Sequence, residues 1–225
     1  MNMLAFSRAP VVVEIVYDLI CPWCFIGTRR LLRMLRRRPE IGLSIEWRPF
    51  LLNPDMPRSG MSRHAYIQRK FGAEDRARRV FATITEIGRS ESIGFRFDRI
   101  HTTPSTVDAH RLVHFASGFG RAEAVADAIF YAYFCDGQDI GAPEVLYGIA
   151  LAAGLPATET RAFLASDVAT ELVHADNLRA HRLGINGAPC FILGRRHAIA
   201  GAQEAEVLEC LLNVALFDLS AGDSE

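Results

Sequence analysis

Apolar and polar positions change period along this chain, and the changes mark out its elements. Val11-Val12-Val13-Glu14-Ile15-Val16-Tyr17 is β-branched and almost wholly apolar, the pattern of a short buried strand. From Phe25 to Leu35 the apolar residues recur at helical spacing with arginines between them. Leu43 to Phe50 alternates as a second strand until Pro49 ends it or bends it toward an edge. The breaker-rich stretch Asn53-Pro54-Asp55-Met56-Pro57-Arg58-Ser59-Gly60 follows as a loop. The strand signal then largely vanishes. Residues 62–71, 74–87, 105–116, 122–135, 143–153 and 167–183 read as helices, with apolar positions three and four apart, as in Val80, Phe81, Ile84 and Ile87, or Val125, Ile129 and Tyr133. Strands resume at Pro189-Cys190-Phe191-Ile192-Leu193, turn through Gly194-Arg195-Arg196, and return over His197 to Ala200 as a hairpin. A last helix is expected from Gly201 through Phe217, with Val207, Leu211 and Val214 down one side. The order is strand, helix, strand, helical block, hairpin, helix. The predicted fold is therefore α/β, one unit formed by 11–58 and 185–218 and interrupted by an all-helical insertion over 59–184.

Composition adds bounds. A chain of 225 residues can bury about 70% of its unfolded surface, so it needs no disulfide staples. Its residues are 50% hydrophobic with a net charge of −1, as in an ordinary globular protein. No apolar run is long enough to span a membrane. Residues 1–10 have no proper apolar core for a secretion signal. Five cysteines, an odd number, suit a reducing compartment, so a cytoplasmic location is expected. Arg29, Arg30, Arg33, Arg36, Arg37 and Arg38 form the strong charge cluster. Near-zero net charge reads it as the wet face of a helix, with Arg36 to Arg38 at the negative end, rather than a nucleic-acid footprint. No nucleic-acid or membrane partner is expected.

The candidate chemistry lies at Cys21-Pro22-Trp23-Cys24, where the first strand ends and the first helix begins. Pro22 suits the first helical turn. A helix N-terminus, with its free N–H groups and positive dipole end, stabilises a thiolate, the nucleophile of disulfide exchange. Cysteines three apart share a helical face and are close enough to bond. The same pair could be half of a zinc site, but no second CxxC exists, Cys135, Cys190 and Cys210 stand singly, and His110 and His114 share a face without a third ligand. No metal is expected. The two histidines read as partly exposed, Cys135 and Cys210 as small core residues, and Cys190 as inert packing close to the site.

Together with Gly187-Ala188-Pro189 opening a later strand, this motif resembles the thioredoxin superfamily. The helical insertion resembles its DsbA-like branch. Arg48-Pro49-Phe50 with Asn53-Pro54, Ala109-His110-Arg111-Leu112 and Gly201-Ala202-Gln203 resemble the FrnE-like oxidoreductases and the related 2-hydroxychromene-2-carboxylate isomerases. The resemblance implies a thiol–disulfide oxidoreductase. Cys21 would be the exposed attacking thiolate and Cys24 the buried resolving thiol. Pro189 would be a cis-proline facing them, with Pro22, Trp23, Ala188, Pro189 and Gln203 touching substrate. Its partners would be protein or small-molecule thiols and disulfides, with no tightly bound cofactor and glutathione as a candidate co-substrate. Monomer and homodimer stay open. The rival is a glutathione-dependent isomerase or kappa-type transferase, in which Ala188, Ala202 and Gln203 would hold glutathione at the last helix start. Those enzymes typically have serine at the first cysteine position, which favours redox chemistry here. The chain also departs from thioredoxin and DsbA, which have an acid six positions before the first cysteine. Here that residue is Ile15, while Glu14 and Asp18 point to the other strand face. Asp18 or water could replace the acid, or Asp18 could simply end the strand.

Overall fold

A computed structural model describes residues 10–222. The absence of an export signal was read from residues 1–10, of which 1–9 lie outside those described. The sheet runs β2-β1-β5-β6. Strand β1 (Val11–Tyr17) lies parallel to β2 (Leu43–Pro49), in register from Val11↔Leu43 to Tyr17↔Pro49, and α1 (Pro22–Leu35) makes the crossover between them. Strand β5 (Cys190–Leu193) pairs antiparallel with β1, and β6 (His197–Ala200) pairs antiparallel with β5. Between β2 and β5 the chain forms a two-residue ribbon, β3 (Met61–Ser62) with β4 (Thr102–Thr103). It also forms seven helices there among the described residues: α2 (Arg63–Phe71), α3 (Glu74–Ser90), α4 (Val107–Ser117), α5 (Ala122–Phe134), α6 (Pro143–Ala152), α7 (Ala157–Ala165) and α8 (Thr170–Arg182). Helix α9 (Ala205–Gly222) closes the described chain.

Strand alternation divides the sheet's burial between two cores. Val13, Ile15 and Tyr17 enter the main cluster with Phe25 and Leu31 of α1, Phe130 of α5 and Leu208 and Leu212 of α9. Val16, Cys190 and Ile192 face the other way and pack on Phe50 and on Ala180 of α8. Glu14 shares that second face. It is 1% exposed and held by Arg179 of α8 at 2.6 Å and Arg48 at 3.3 Å.

Five points of the sequence reading need correction. Helix α7 was not foreseen, because it has a single buried residue, Thr160, and so no apolar stripe. The last helix begins at Ala205, not Gly201. Residues 201–204 form a turn, in which Gly201 has φ +89° and the Gln203 side-chain amide donates to Ala200 O at 2.7 Å. Its buried stripe is Leu208, Leu212 and Ala215, while Val207 and Val214 are exposed, as is Cys210, which is not a core residue. Arg30 is not on a wet face. It is buried against Glu91 at 2.7 Å and Glu204 at 2.8 Å, and it donates to Ala202 O at 2.8 Å. Its neighbours Arg33, Arg36 and Arg37 are exposed as expected.

Candidate active site

Cys21 is the residue that caps α1, with extended backbone angles of φ −95° and ψ 112°, and Pro22 opens the helix behind it. The Cys24 N–H donates to Cys21 O at 3.0 Å, closing the first turn and bringing both sulfurs to one side. Both cysteines are free thiols. The Cys21 thiol lies below its ordinary value, first because Cys24 hydrogen-bonds to it and then through the backbone N–H groups of Cys24 and Trp23, against the opposing effect of burial. The Cys24 thiol lies well above, because it is buried and because the Cys21 charge disfavours a second thiolate. The pair is thus polarised, the first sulfur more easily ionised than the second. That is the asymmetry that thiol–disulfide exchange uses.

Across from the pair, the Ala188–Pro189 peptide bond is cis, and Ala188 O lies 3.5 Å from Cys21 Sγ. This contact covers the first sulfur. Cys21 is 4% exposed against 0% for Cys24, which corrects the expectation of an exposed attacking thiol. Pro22 and Trp23 are half-buried beside it. Gly27, one turn along α1, makes the close approach feasible. A Cβ there would meet Ala202 Cα at 3.1 Å, Phe191 Cζ at 3.1 Å and Pro189 Cγ at 3.2 Å. A groove of about 520 Å³ runs away from the cis-proline, lined by Leu183, Ile185, Asn186, Ala188, Pro189 and Ala200 among others. Cys190 lies in the second core, its thiol pushed up by burial, and makes no contact with Cys21 or Cys24. Gln203 is in the turn after β6 with its amide engaged locally.

This geometry is that of a known family. A DSBA-like thioredoxin domain model matches residues 12–213. The chain belongs to the DsbA-like thioredoxin domain family. A probable DsbA oxidoreductase from Streptomyces coelicolor is 33% identical, with a TM-score of 0.84 over 92% of this chain and 90% of that one. The 2-hydroxychromene-2-carboxylate isomerase structure superposes with a TM-score of 0.67 at 16% identity, over 95% of this chain and 100% of that one. The cytosolic disulfide reductase DsbM of Pseudomonas aeruginosa, solved with GSH, does so at 0.64 and 22% identity, over 91% and 98%. The last two likenesses concern the fold. Among the described residues of this DsbA-like chain no helix is long and apolar enough to cross a membrane, and no group of three or more His, Cys, Asp and Glu is placed to hold a metal ion.

Sequence reasoning missed His110. It is 1% exposed, not partly solvated, and its Nε2 lies 3.7 Å from Asp18 Oδ1. The Asp18 backbone N–H donates to Cys24 Sγ at 3.4 Å, and its carboxylate accepts from Leu52 N at 2.7 Å. The family-like stretch Ala109-His110-Arg111-Leu112 is the signal in the sequence that points to it. Arg111 beside it is fully buried and ties down the α7–α8 loop through Phe163 O, Ser166 O and Val168 O at 3.0, 2.5 and 2.7 Å. His114 is exposed, so the two histidines form no ligand pair.

Proposed function

We propose that this protein is a thiol–disulfide oxidoreductase acting through Cys21 and Cys24. The observation that carries the reading is the polarised pair itself, with the more easily ionised sulfur at the helix start against Ala188 O. The Cys21 thiolate attacks a substrate disulfide, forming a Cys21–substrate bond and releasing the other substrate sulfur as a thiolate. Cys24 then gives up its proton and attacks Cys21 Sγ. The Cys21–Cys24 bond forms, and the second substrate sulfur leaves with the electron pair of the broken bond. Two electrons have passed from the protein to the substrate, and the reverse sequence oxidises a dithiol. Substrate enters by displacing Ala188 O from Cys21, its chain lying in the groove beyond Pro189, and Pro22, Trp23 and Gln203 are further residues proposed to touch it. Its partners are protein or small-molecule disulfides and thiols in a reducing, cytoplasmic setting. Glutathione is the small thiol we favour, supported by the GSH in the DsbM structure. The glutathione-dependent isomerase reading gains no observation of its own here, since the likeness to that enzyme is one of fold.

The test is a pair of substitutions. Cys24→Ala should accumulate a Cys21–substrate mixed disulfide that can be isolated and identified by mass. Cys21→Ser should abolish insulin reduction, because the hydroxyl that replaces the thiol cannot enter the exchange. Retained reductase turnover in Cys21→Ser, or trapping on a cysteine other than Cys21, would refute the reading. Turnover of an aromatic isomerase substrate by a wild type that shows no redox activity would replace it with the rival.

A further inference from the structure

A disulfide reaches Cys21 only when Ala188 O moves away, so whatever seats that carbonyl governs entry. The segment that carries it is lightly held. Asn186, Gly187 and Ala188 take part in no backbone–backbone hydrogen bond among the described residues, and a Cβ at Gly187 would meet nothing within 4 Å. Its downstream end is firmer, because Pro189 O accepts from Gly201 N at 2.8 Å, which joins the segment to the turn before α9. That turn is in turn tied to α1, the helix that opens with the cysteines. Arg30, three residues beyond Gly27, donates from Nη1 to Ala202 O at 2.8 Å and pairs through Nη2 with Glu204 at 2.8 Å. Its Nε holds Glu91 at 2.7 Å, and Arg33 holds the other oxygen of that carboxylate at 2.5 Å. Arg30 is 6% exposed. A buried ion pair is weak evidence for stability, because well-packed apolar side chains of similar volume serve as well. What a guanidinium adds is direction: its planar fork fixes several acceptors at set angles. Two of the three acceptors here lie on the turn behind Pro189.

We propose that Arg30 is a positioning residue that makes exchange selective: by tying the Gly201–Glu204 turn to α1 it keeps Ala188 O over Cys21, so the sulfur opens to disulfides whose chain also fills the groove beyond Pro189. This rests on the oxidoreductase reading above. Moving Ala188 O aside costs the same whatever enters. A polypeptide offsets that cost by laying chain in the groove of Leu183, Ile185, Ala198 and Ala200, which has no charged side chain along it. A short disulfide has no such contacts to set against it, and Cys21, at 4% exposure, offers almost no surface for direct collision. The tie therefore discriminates by length of substrate. Loosening it lowers the cost of opening for both classes. The polypeptide loses part of its gain at the same time, because Ala200 and Gly201, which line the groove, move with the turn. The small disulfide has nothing to lose and gains the full effect. Arg30 takes no part in making or breaking bonds, and the exchange itself runs as described above.

The experiment compares two substrates in the full chain, with the exposed Cys210 replaced by serine so that it cannot react. Reduced protein is mixed with hydroxyethyl disulfide or with insulin. Samples are quenched in acid, and formation of the Cys21–Cys24 bond is followed by mass, giving a second-order rate constant for each substrate. Two variants weaken the tie. Arg30→Lys keeps a charge beside Glu91, but an ammonium cannot span Glu91 and both turn acceptors. Glu204→Gln removes a carboxylate whose side chain is 66% exposed, so it should leave stability nearly unchanged. In Arg30→Lys the rate constant for hydroxyethyl disulfide should rise by about tenfold, the factor that one charged hydrogen bond carries, while that for insulin should not rise. Glu204→Gln should shift the ratio the same way by about 2–5-fold. A merely structural role would leave the ratio of the two rate constants as in the wild type, and that result overturns the inference, as does an equal rise or fall for both substrates. If Arg30→Lys fails to fold, as judged by its thermal melt, Glu204→Gln decides alone. A wild type that forms no Cys21–Cys24 bond with either substrate would instead overturn the oxidoreductase reading on which the proposal stands.

Discussion

Gly27 and Gly148 permit a matched test of how tightly the cis-proline loop is seated. Each lies equally far into a helix that opens with proline, Gly27 in α1 and Gly148 in α6. Replacing either with alanine gains the same helix propensity, about 1 kcal/mol. Nothing lies within 4 Å of a Cβ at Gly148, so the whole gain should appear there. At Gly27 the new methyl meets Ala202 Cα, Phe191 Cζ and Pro189 Cγ at 3.1–3.2 Å, a few tenths of an ångström inside ordinary contact on three sides. None of these gives easily. Ala202 contributes backbone, Phe191 is fully buried, and Pro189 is fixed by its neighbours. Overpacking of this kind costs about 1–3 kcal/mol. Gly27→Ala should thus fall about 1–3 kcal/mol short of Gly148→Ala, a net change between about zero and 2 kcal/mol of destabilisation. With a urea slope of about 2 kcal/mol/M, the two midpoints should differ by about 0.5–1.5 M. Equal midpoints for the two variants would refute the argument that α1 and the Pro189 loop are in limiting contact.

The remaining predictions concern charge. Alkylation of Cys21 followed against pH should reach half its maximum below the ordinary thiol pKa of about 8.5. The reduced form should then show opposing pH effects. Cys21, with its folded value depressed, adds stability that is fully present above the unfolded pKa and lost as pH falls through the folded one. Cys24, with its folded value raised, contributes stability that is present below the unfolded pKa and lost as pH rises above it. The cysteine contribution should therefore be greatest near about pH 8.5, seen as a maximum absent from the Cys21→Ser, Cys24→Ala double variant; a featureless difference across that range would contradict the polarised pair. Arg30→Met should cost about 3 kcal/mol in urea unfolding, because Glu91 is left buried with the half-exposed Arg33 as its remaining partner; a loss below about 1 kcal/mol would make the pair dispensable.

Much of this fold is written in local pattern. The β-branched run to Tyr17, the helical spacing after Pro22 and the hairpin about Gly194 each specify their own element, and each formed. What escaped depends on distant partners. Arg30 sits in an arginine-rich helix and looks solvated until Glu91 and Glu204, far along the chain, close around it. On α9 two stripes are about equally apolar, one through Val207 and Val214 and one through Leu208 and Leu212. The packing of α9 against α1 and the β5–β6 hairpin selects the second. Helix α7 buries just Thr160, so hydrophobic period could not reveal it. The cysteine pair and the Ala188–Pro189 bond were legible as a motif, whereas the burial of His110 beside Asp18 joins α4 to the end of β1 and has no local signature.

The apolar residue at Ile15 follows from the same alternation that builds the sheet. A carboxylate at position 15 would stand between Val13 and Tyr17 in the main apolar cluster, where an unpaired charge is costly. Glu14 escapes that cost because its face meets Arg48 and Arg179, but for the same reason it is turned away from the sulfurs. Past Tyr17 the period of two ends, and the turn into α1 can aim a side chain independently of the sheet. Asp18 uses that freedom. Its N–H meets Cys24 Sγ, Leu52 N and Ile20 N hold its carboxylate, and α4 brings His110 to the remaining side. The turn thereby brings a backbone N–H to the second sulfur while the strand before it stays apolar. Placing an acid there with Ile15→Glu should then destabilise the protein, by the burial of a carboxylate without a partner, and an unchanged urea midpoint would refute this account of the strand.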